Sequence, residues 1–295
     1  MDERQKCGML YLCATPIGNL SDISERVIET LKGADLIAAE DTRNSMKLLN
    51  RFDIRVPLTS YHEYNKYDKA AELIEKMKAG MNVALVTDAG TPGISDPGEV
   101  ITDMCHKEGI AVTSLPGPCA AVTALSVSGM STGRFVFEGF LPSGKKERQQ
   151  ILSDLSDETR TIIIYEAPHH LKKTLETLLD ALGDRDMAVC RELTKKHEEV
   201  RRMRLSEASA YYGANEPRGE YVLVIEGRSP EEIKEEIAKT FLSTDIREHV
   251  AAYEEKGFDR KEAMKKVAAD RGITKREVYS KMLEETDPKE DKESR

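Results

Sequence analysis

The chain has 295 residues, with 44 Lys and Arg against 53 Asp and Glu, a formal net charge of −9. The length admits two or three domains, and 39 % hydrophobic with 33 % charged residues excludes a disordered or collagen-like chain. The acidic balance excludes a protein that coats nucleic acid or anionic membrane with its whole surface, while leaving room for a local basic face.

Five cysteines (Cys7, Cys13, Cys105, Cys119 and Cys190) are odd in number, dispersed and without a Cys-x-x-Cys pair. That pattern is neither a disulfide framework nor a zinc ribbon, and it predicts a reducing, cytoplasmic setting. His169-His170 lacks metalloprotease spacing and reads as a polar helix start after Pro168, so no metal site is expected. Nothing approaches the roughly 20 apolar residues of a membrane helix, and no membrane contact is expected.

In chain order, LYLCA (Leu10 to Ala14) reads as a buried strand, followed by a turn and a helix with Val27, Ile28 and Leu31 on one side. ADLIAAE (Ala34 to Glu40) is a second strand. Asp68 opens a helix carrying Leu73, Ile74 and Met77, and VALVT (Val83 to Thr87) is a third strand. A helix from about Pro97 to Lys107 leads to VTSL (Val112 to Leu115). Near-continuous apolar strands separated by helices predict a parallel sheet covered on both faces.

From about Phe135 the texture changes. FVFEGF, TIIIYE, MAVCRE, VRRMR and EYVLVIEG are strand candidates that only partly alternate with helices, which predicts a mixed sheet. One helix, His170 to Gly183, carries a stripe of Leu171, Leu175, Leu178, Leu179 and Leu182. The fold class is therefore α/β: a parallel-sheet domain over residues 8–128, a mixed-sheet domain over 129–228 and a helical extension over 229–284. A charged tail occupies 285–295, and the first boundary lies in the turn-rich SGMSTGR. In the extension, Ser229-Pro230-Glu231-Glu232 reads as a helix start, and Asp259 to Asp270 as a helix with Ala263, Val267 and Ala268 inward. Gly272 is a left-handed stop, and Thr274 to Glu277 is a capping box before Val278 and Met282. Two short helices around a Gly turn fit a helix-turn-helix and an ordinary packing hairpin equally.

In an open parallel sheet, ligands bind beyond the carboxyl ends of the strands. Three loops there are rich in Gly, Pro and Ala: Thr15 to Asn19, Asp88 to Gly98, and Leu115 to Ala121. Such loops let a ligand approach the backbone and stay rigid, although each alone is also ordinary turn chemistry. No Gly-x-Gly-x-x-Gly follows the first strand and there is no Gly-Lys-Ser/Thr, so the phosphate cradles of dinucleotide and P-loop sites are missing. Asp88 at a strand end suits a cationic or hydroxyl-rich ligand.

These loops resemble the cofactor loops of the tetrapyrrole methylase superfamily. The resemblance is closer to its ribosomal-RNA branch, bacterial enzymes that methylate a cytidine 2′-hydroxyl in the decoding region of 16S rRNA. It runs through LYLCATPIGNLSDIS (Leu10 to Ser24), AAEDTRNS (Ala38 to Ser45), TSYHEYN (Thr59 to Asn65) and VALVTDAGTPGISDPG (Val83 to Gly98). It continues through SLPGPCAAVTAL (Ser114 to Leu125), FVFEGFLPSGKKERQ (Phe135 to Gln149), YEAPHHL (Tyr165 to Leu171), RELTKKHEE (Arg191 to Glu199) and PRGEYVLVIEG (Pro217 to Gly227).

The resemblance implies S-adenosylmethionine as cofactor, folded into a cleft between two α/β domains. Pro16, Ile17 and Gly18 would line one wall; Asp88, Gly90 and Thr91 would hold the ribose or amino-acid portion; Ala120 and Ala121 would approach the methionine part or the adenine. Tyr165, Glu166, Leu193, Gly219 and Glu220 would close over the adenine. Core packing is the plain alternative for Ile17, Leu193 and Ala120. Candidate proton acceptors in the family-specific strings are Glu40, His62 and Glu166, with no single base distinguished. Basic stretches are candidate phosphate contacts: Arg43; Lys145, Lys146 and Arg148 in a Gly-containing loop; Lys195, Lys196, Arg201 and Arg202. A solvated charged face explains each basic stretch alone as well, and Arg43 can instead pair with Asp41. The expected partners are 16S rRNA in the small ribosomal subunit and a second copy of the chain. Two competing readings are a porphyrinoid methyltransferase of the same superfamily and a ligand-sensing regulator whose terminal helices bind DNA.

Overall fold

The computed structural model describes residues 7–241 and 244–283; the expected charged tail lies outside them. The first half runs β1 (Met9–Cys13), α1 (Glu25–Gly33), β2 (Leu36–Ala39), α2 (Thr42–Arg51), β3 (Leu58–Ser60), α3 (Lys66–Lys78), β4 (Val83–Val86), α4 (Gly98–Lys107), β5 (Ala111–Leu115) and α5 (Ala120–Ser128). Its five strands are all parallel, in the order β3-β2-β4-β1-β5. Because β2 and β4 are flanked on both sides, every residue of Leu36–Ala39 and Val83–Val86 is buried, which is why their sequences do not alternate. Leu10, Leu12, Leu85, Leu73, Ile74 and Met77 fill one face; Cys13, Val27, Leu31, Ile37 and Val86 fill the other.

VALVT, expected as the third strand, is the fourth, β4, and one helix start also needs correction. β3 reads poorly from sequence because it is a three-residue edge strand that pairs only with β2. The helix expected from Asp68 starts earlier, at Lys66, because Asn65 closes the preceding turn by accepting the His62 amide at 2.8 Å.

The second half runs β6 (Phe135–Phe140), α6 (Lys145–Ser156), β7 (Thr161–Glu166), α7 (Pro168–Leu182), β8 (Asp186–Arg191), β9 (Glu199–Arg204), α8 (Leu205–Ala214) and β10 (Tyr221–Ile225). The sheet is mixed, in the order β6-β7-β10-β8-β9, with β6 parallel to β7 and the other pairings antiparallel. The α7 stripe Leu171, Leu175, Leu178 and Leu182 is buried on one sheet face. On the other face Ile163, Ala188, Cys190, Val222 and Val224 pack with Ile17, Ala121, Ala124 and Leu125. That shared apolar layer joins both sheets into one compact unit.

The second compact unit comprises Ser156–Thr159 and the described residues from Gly227 on. Its helices are α9 (Pro230–Thr240), α10 (Ile246–Glu255), α11 (Arg260–Asp270) and α12 (Lys275–Leu283). Ser229 caps α9 in a capping box, Gly272 takes φ +62° after α11, and Thr274 and Glu277 form the reciprocal cap before α12. Ile246, Val250, Ala263, Val267, Ala268 and Val278 make a small core of their own.

Candidate active site

Four loops meet at the carboxyl edge of the parallel sheet, and hydrogen bonds tie them into one surface. Thr15 and Gly90 exchange backbone bonds at 2.8 and 3.0 Å, joining the β1 and β4 loops. The Thr91 hydroxyl donates to the Pro118 carbonyl at 2.9 Å, joining the β4 and β5 loops. Glu40, directly after β2, accepts the Thr87 hydroxyl at 2.8 Å. Asp88 accepts from the Asp41 amide at 3.2 Å and from Asn44 Nδ2 at 3.3 Å. Asp96 braces its own loop by accepting the Gly93 and Gly98 amides.

The mixed sheet supplies the opposite wall. Its Tyr165 hydroxyl accepts the Ala121 amide at 3.0 Å, an otherwise unpaired donor in the first turn of α5. Burial pushes the Tyr165 phenol up to about 12, so it stays protonated at neutral pH. The β8–β9 loop is held in place by strained backbone, with Glu192 at φ +52° and Thr194 at φ +65° flanking Leu193. Thr194 Oγ1 accepts the Asn19 amide at 3.1 Å, and Lys195 bridges Glu192 and Glu220 at 2.9 and 2.7 Å.

Between these walls lies a cavity of about 470 Å³. Of the residues expected to bind cofactor, it is lined by Ile17, Asp88, Gly90, Thr91, Ala120, Tyr165, Glu166, Leu193 and Glu220, together with Glu40. Pro16 faces a smaller neighbouring cavity of about 230 Å³ that shares Thr87 and Asp88 with the first. Gly18, Ala121 and Gly219 stand behind the wall and shape it. A Cβ at Gly18 would fall 2.4 Å from Lys195 Cγ, and one at Gly219 would fall 2.6 Å from the Glu192 carboxyl. Ile17 and Leu193 are both core and wall, being 9 % and 6 % exposed.

The lining carries five carboxylates (Glu40, Asp88, Asp96, Glu166 and Glu220) and no Lys, Arg or His. Burial, with the Glu40 charge nearby, holds the Asp88 carboxyl above the usual aspartate range. Such a site favours a cation. A sulfonium and an ammonium on one ligand, with an apolar ring against Ile17, Leu193 and Val222, match both the charge and the apolar walls. The donor set therefore fits S-adenosylmethionine.

Residues 9–209 match the family of Tetrapyrrole (Corrin/Porphyrin) Methylases. The chain belongs to this family. Among its relatives, the ribosomal RNA small subunit methyltransferase I of Synechocystis is 47 % identical over 94 % of this chain and 98 % of that protein. The protein of the same description from Bacillus subtilis is 50 % identical over 92 % of this chain and 93 % of its own length. Solved tetrapyrrole methylase folds are similar in shape: diphthine synthase at TM-score 0.60 and 15 % identity, covering 75 % of this chain and 91 % of that one. A uroporphyrin-III-C-methyltransferase from Thermus thermophilus follows at TM-score 0.53 and 19 % identity, covering 74 % and 94 %.

The structure places the remaining candidates unevenly. His62 does not line either cavity; it sits after β3, with Nδ1 buried and unpaired and the ring edge-on to Tyr64. Both Glu166 oxygens are engaged, by the Thr174 hydroxyl at 2.5 Å and the Ala167 amide at 2.7 Å. Lys145 and Lys146 are not in a loop but open α6, where they are exposed. Lys195 is committed to its two carboxylates, and Arg201 pairs with Glu199 at 2.6 Å while stacking over Tyr211 at 4.4 Å. Arg43, Lys196 and Arg202 are exposed, and Arg43 lies 3.6 Å from Asp41. Sequence reasoning did not name Asn44, Ser95, Phe140 or Val222 as site residues, although all four lie in strings already singled out: AAEDTRNS, VALVTDAGTPGISDPG, FVFEGFLPSGKKERQ and PRGEYVLVIEG.

Proposed function

We propose that the chain transfers a methyl group from S-adenosylmethionine to the ribose 2′-oxygen of a cytidine in the decoding region of 16S rRNA. The observation that carries this reading is a carboxylate-lined, cation-free cavity in a chain 47 to 50 % identical to proteins described as ribosomal RNA small subunit methyltransferase I. The bound cofactor supplies a methyl group on a sulfonium, already activated for displacement. Ile17, Leu193 and Val222 would pack against the cofactor's ring, while Asp88 and the Thr91 loop would orient the cationic half. Positioning of this kind supplies much of the acceleration.

The proton of the acceptor hydroxyl needs a destination. Glu40 Oε2 is taken by Thr87, whereas Oε1 has no hydrogen-bond partner among the described residues, and Glu40 lines the cavity. Glu40 is our candidate for receiving it. Glu166, with both oxygens occupied, anchors the β7–α7 turn instead. Exposed Lys145, Lys146, Lys196 and Arg202, with half-buried Arg148, are the proposed phosphate contacts. A homodimer, a cytoplasmic setting and the division at residues 128 and 228 belong to the same proposal. Among the described residues, no helix is long and apolar enough to cross a membrane.

A porphyrinoid substrate fits less well, because a macrocycle bearing many carboxylates would face Glu40 and Asp88 in the lining, neither of which is paired with a cation. The test is mapping of 2′-O-methylation on small-subunit RNA with and without the gene. The modified cytidine should vanish with the gene; its presence in both samples overturns the proposal.

A further inference from the structure

The smaller cavity is unassigned by the cofactor argument, yet it touches the cofactor cavity through Thr87 and Asp88. Its other lining residues are Thr15, Pro16, Leu20, Asn44, Ser45, Lys47 and Leu48. Three features on that wall point to a ligand. Ser45 is 5 % exposed and brings a hydroxyl to the cavity wall. A hydroxyl in a cavity wall can both donate to and accept from a bound polar group. Lys47 is exposed and its only polar partner among the described residues is Asn44 Oδ1, at 3.4 Å; no carboxylate neutralises it. Leu20 is 47 % exposed at the cavity, beside Pro16, a flat apolar surface open to solvent.

We propose that this cavity holds the acceptor nucleotide of the RNA, an inference that rests on the methyltransferase reading. The three features divide as a nucleotide's parts do. Pro16, Leu20 and Leu48 offer apolar surface for a base, which needs no particular sequence of donors to stack. Ser45, Asn44 and Asp88 offer hydroxyl-binding groups for the ribose. Lys47 offers a cation for the adjoining phosphate. A volume of about 230 Å³ encloses one nucleoside and would leave most of a macrocycle outside. Asp88 stands on the shared wall and retains acceptor capacity beside its bonds to Asp41 and Asn44, so it becomes a positioning residue for the ribose. A ribose against that wall faces directly into the cofactor cavity.

The test compares the wild type with Lys47→Gln, Ser45→Ala and Leu20→Asp. Two measurements are made: binding of a decoding-region RNA hairpin in the presence of S-adenosylhomocysteine, and methyl transfer to unmethylated small subunits. Each variant should weaken RNA binding and raise KM about three- to tenfold, with cofactor affinity within twofold of wild type. Lys47→Gln should also reduce the slope of log K against log salt by roughly 0.7 to 0.9, the loss of one phosphate contact. Unchanged RNA affinity and KM in all three variants, with wild-type transfer intact, overturns the acceptor site alone. Wild type that binds RNA through this cavity but transfers no methyl overturns the proposed function instead.

Discussion

Gly18 lies against the Lys195 side chain, close enough that a single added carbon would sit 2.4 Å from its Cγ and 3.1 Å from the Leu193 carbonyl. The contact joins the first loop of the parallel sheet to the β8–β9 loop of the mixed sheet. Lys195 has little freedom to retreat, because its ammonium is shared between Glu192 and Glu220. Gly18→Ala should therefore cost about 1–3 kcal/mol by overpacking and weaken cofactor binding, since Leu193 and Ile17 are both cavity wall. Denaturant midpoints and calorimetric titration with S-adenosylmethionine report the two effects. Lys195→Ala in the same chain should restore part of the stability by vacating the space. Equal stability of Gly18→Ala and wild type would show that the loops slide apart freely.

Asp88 should make cofactor affinity depend on pH. Its carboxyl is held above the usual range chiefly by burial and secondarily by Glu40. With a raised folded value, the empty protein loses stability as pH rises from the ordinary aspartate range through the folded one. A cationic ligand reverses the preference and stabilises the ionised form. Cofactor binding should accordingly tighten across that interval, with proton release in calorimetry carried out in buffers of different ionisation enthalpy. Asp88→Asn should weaken binding about tenfold at neutral pH and flatten the pH profile, the loss of one charged partner being worth about 1.4 kcal/mol. A profile as steep in Asp88→Asn as in wild type would place the titrating group elsewhere.

Lys145 and Lys146 open α6, exposed and without a carboxylate partner among the described residues. Helix placement fixes their spacing, so two adjacent phosphates are a better match than one. The double change to Ala should lower the salt dependence of RNA binding by about 1.5 in log–log slope. It should leave cofactor affinity intact, because neither side chain lines the cavity. Filter binding between low and moderate salt measures the slope, and parallel lines for variant and wild type would remove these lysines from the interface.

The parts of this fold that were legible in the sequence are those where burial is complete. β2 and β4 read as unbroken apolar runs because both neighbours are strands, and the α7 leucines recur at helical spacing because only one face meets the sheet. β3 escaped because an edge strand of three residues carries no period. α6 escaped because its first turn is all charge and its buried Leu152 and Leu155 come late. Asp88 and Gly90, which line the cavity, stood out because strand-end loops of that composition are unusual. Asn44 and Ser45 sit in a helix whose composition is ordinary, and only the folded chain shows their placement beside Asp88. His62 stood out because a histidine's chemistry is visible in sequence, whereas its place outside both cavities is set by the turn that Asn65 closes.

In the helical unit, His249 is built to be neutral. Its ring lies between Phe241 and Tyr253 at centroid distances of 3.9 and 5.5 Å, and it is 5 % exposed. Arg271 Nε points at Nδ1 from 3.2 Å, so Nδ1 must accept, which leaves Nε2 to carry the proton toward Asp270 at 3.3 Å. Burial and the Arg271 charge outweigh Asp270 and hold the imidazole below its ordinary value. A depressed folded value means that stability is complete above the ordinary histidine pKa of about 6.5 and is lost as pH falls through the folded one. The His249 Cε1 proton should titrate later on acidification than the exposed histidines, and the α10–α12 helices should melt at lower temperature at pH 5 than at pH 7. His249→Phe keeps the ring stack but leaves Arg271 Nε without its acceptor. It should lower stability at pH 7 and remove the difference between the two pH values. An unchanged acid sensitivity in that variant would assign the titration to another group.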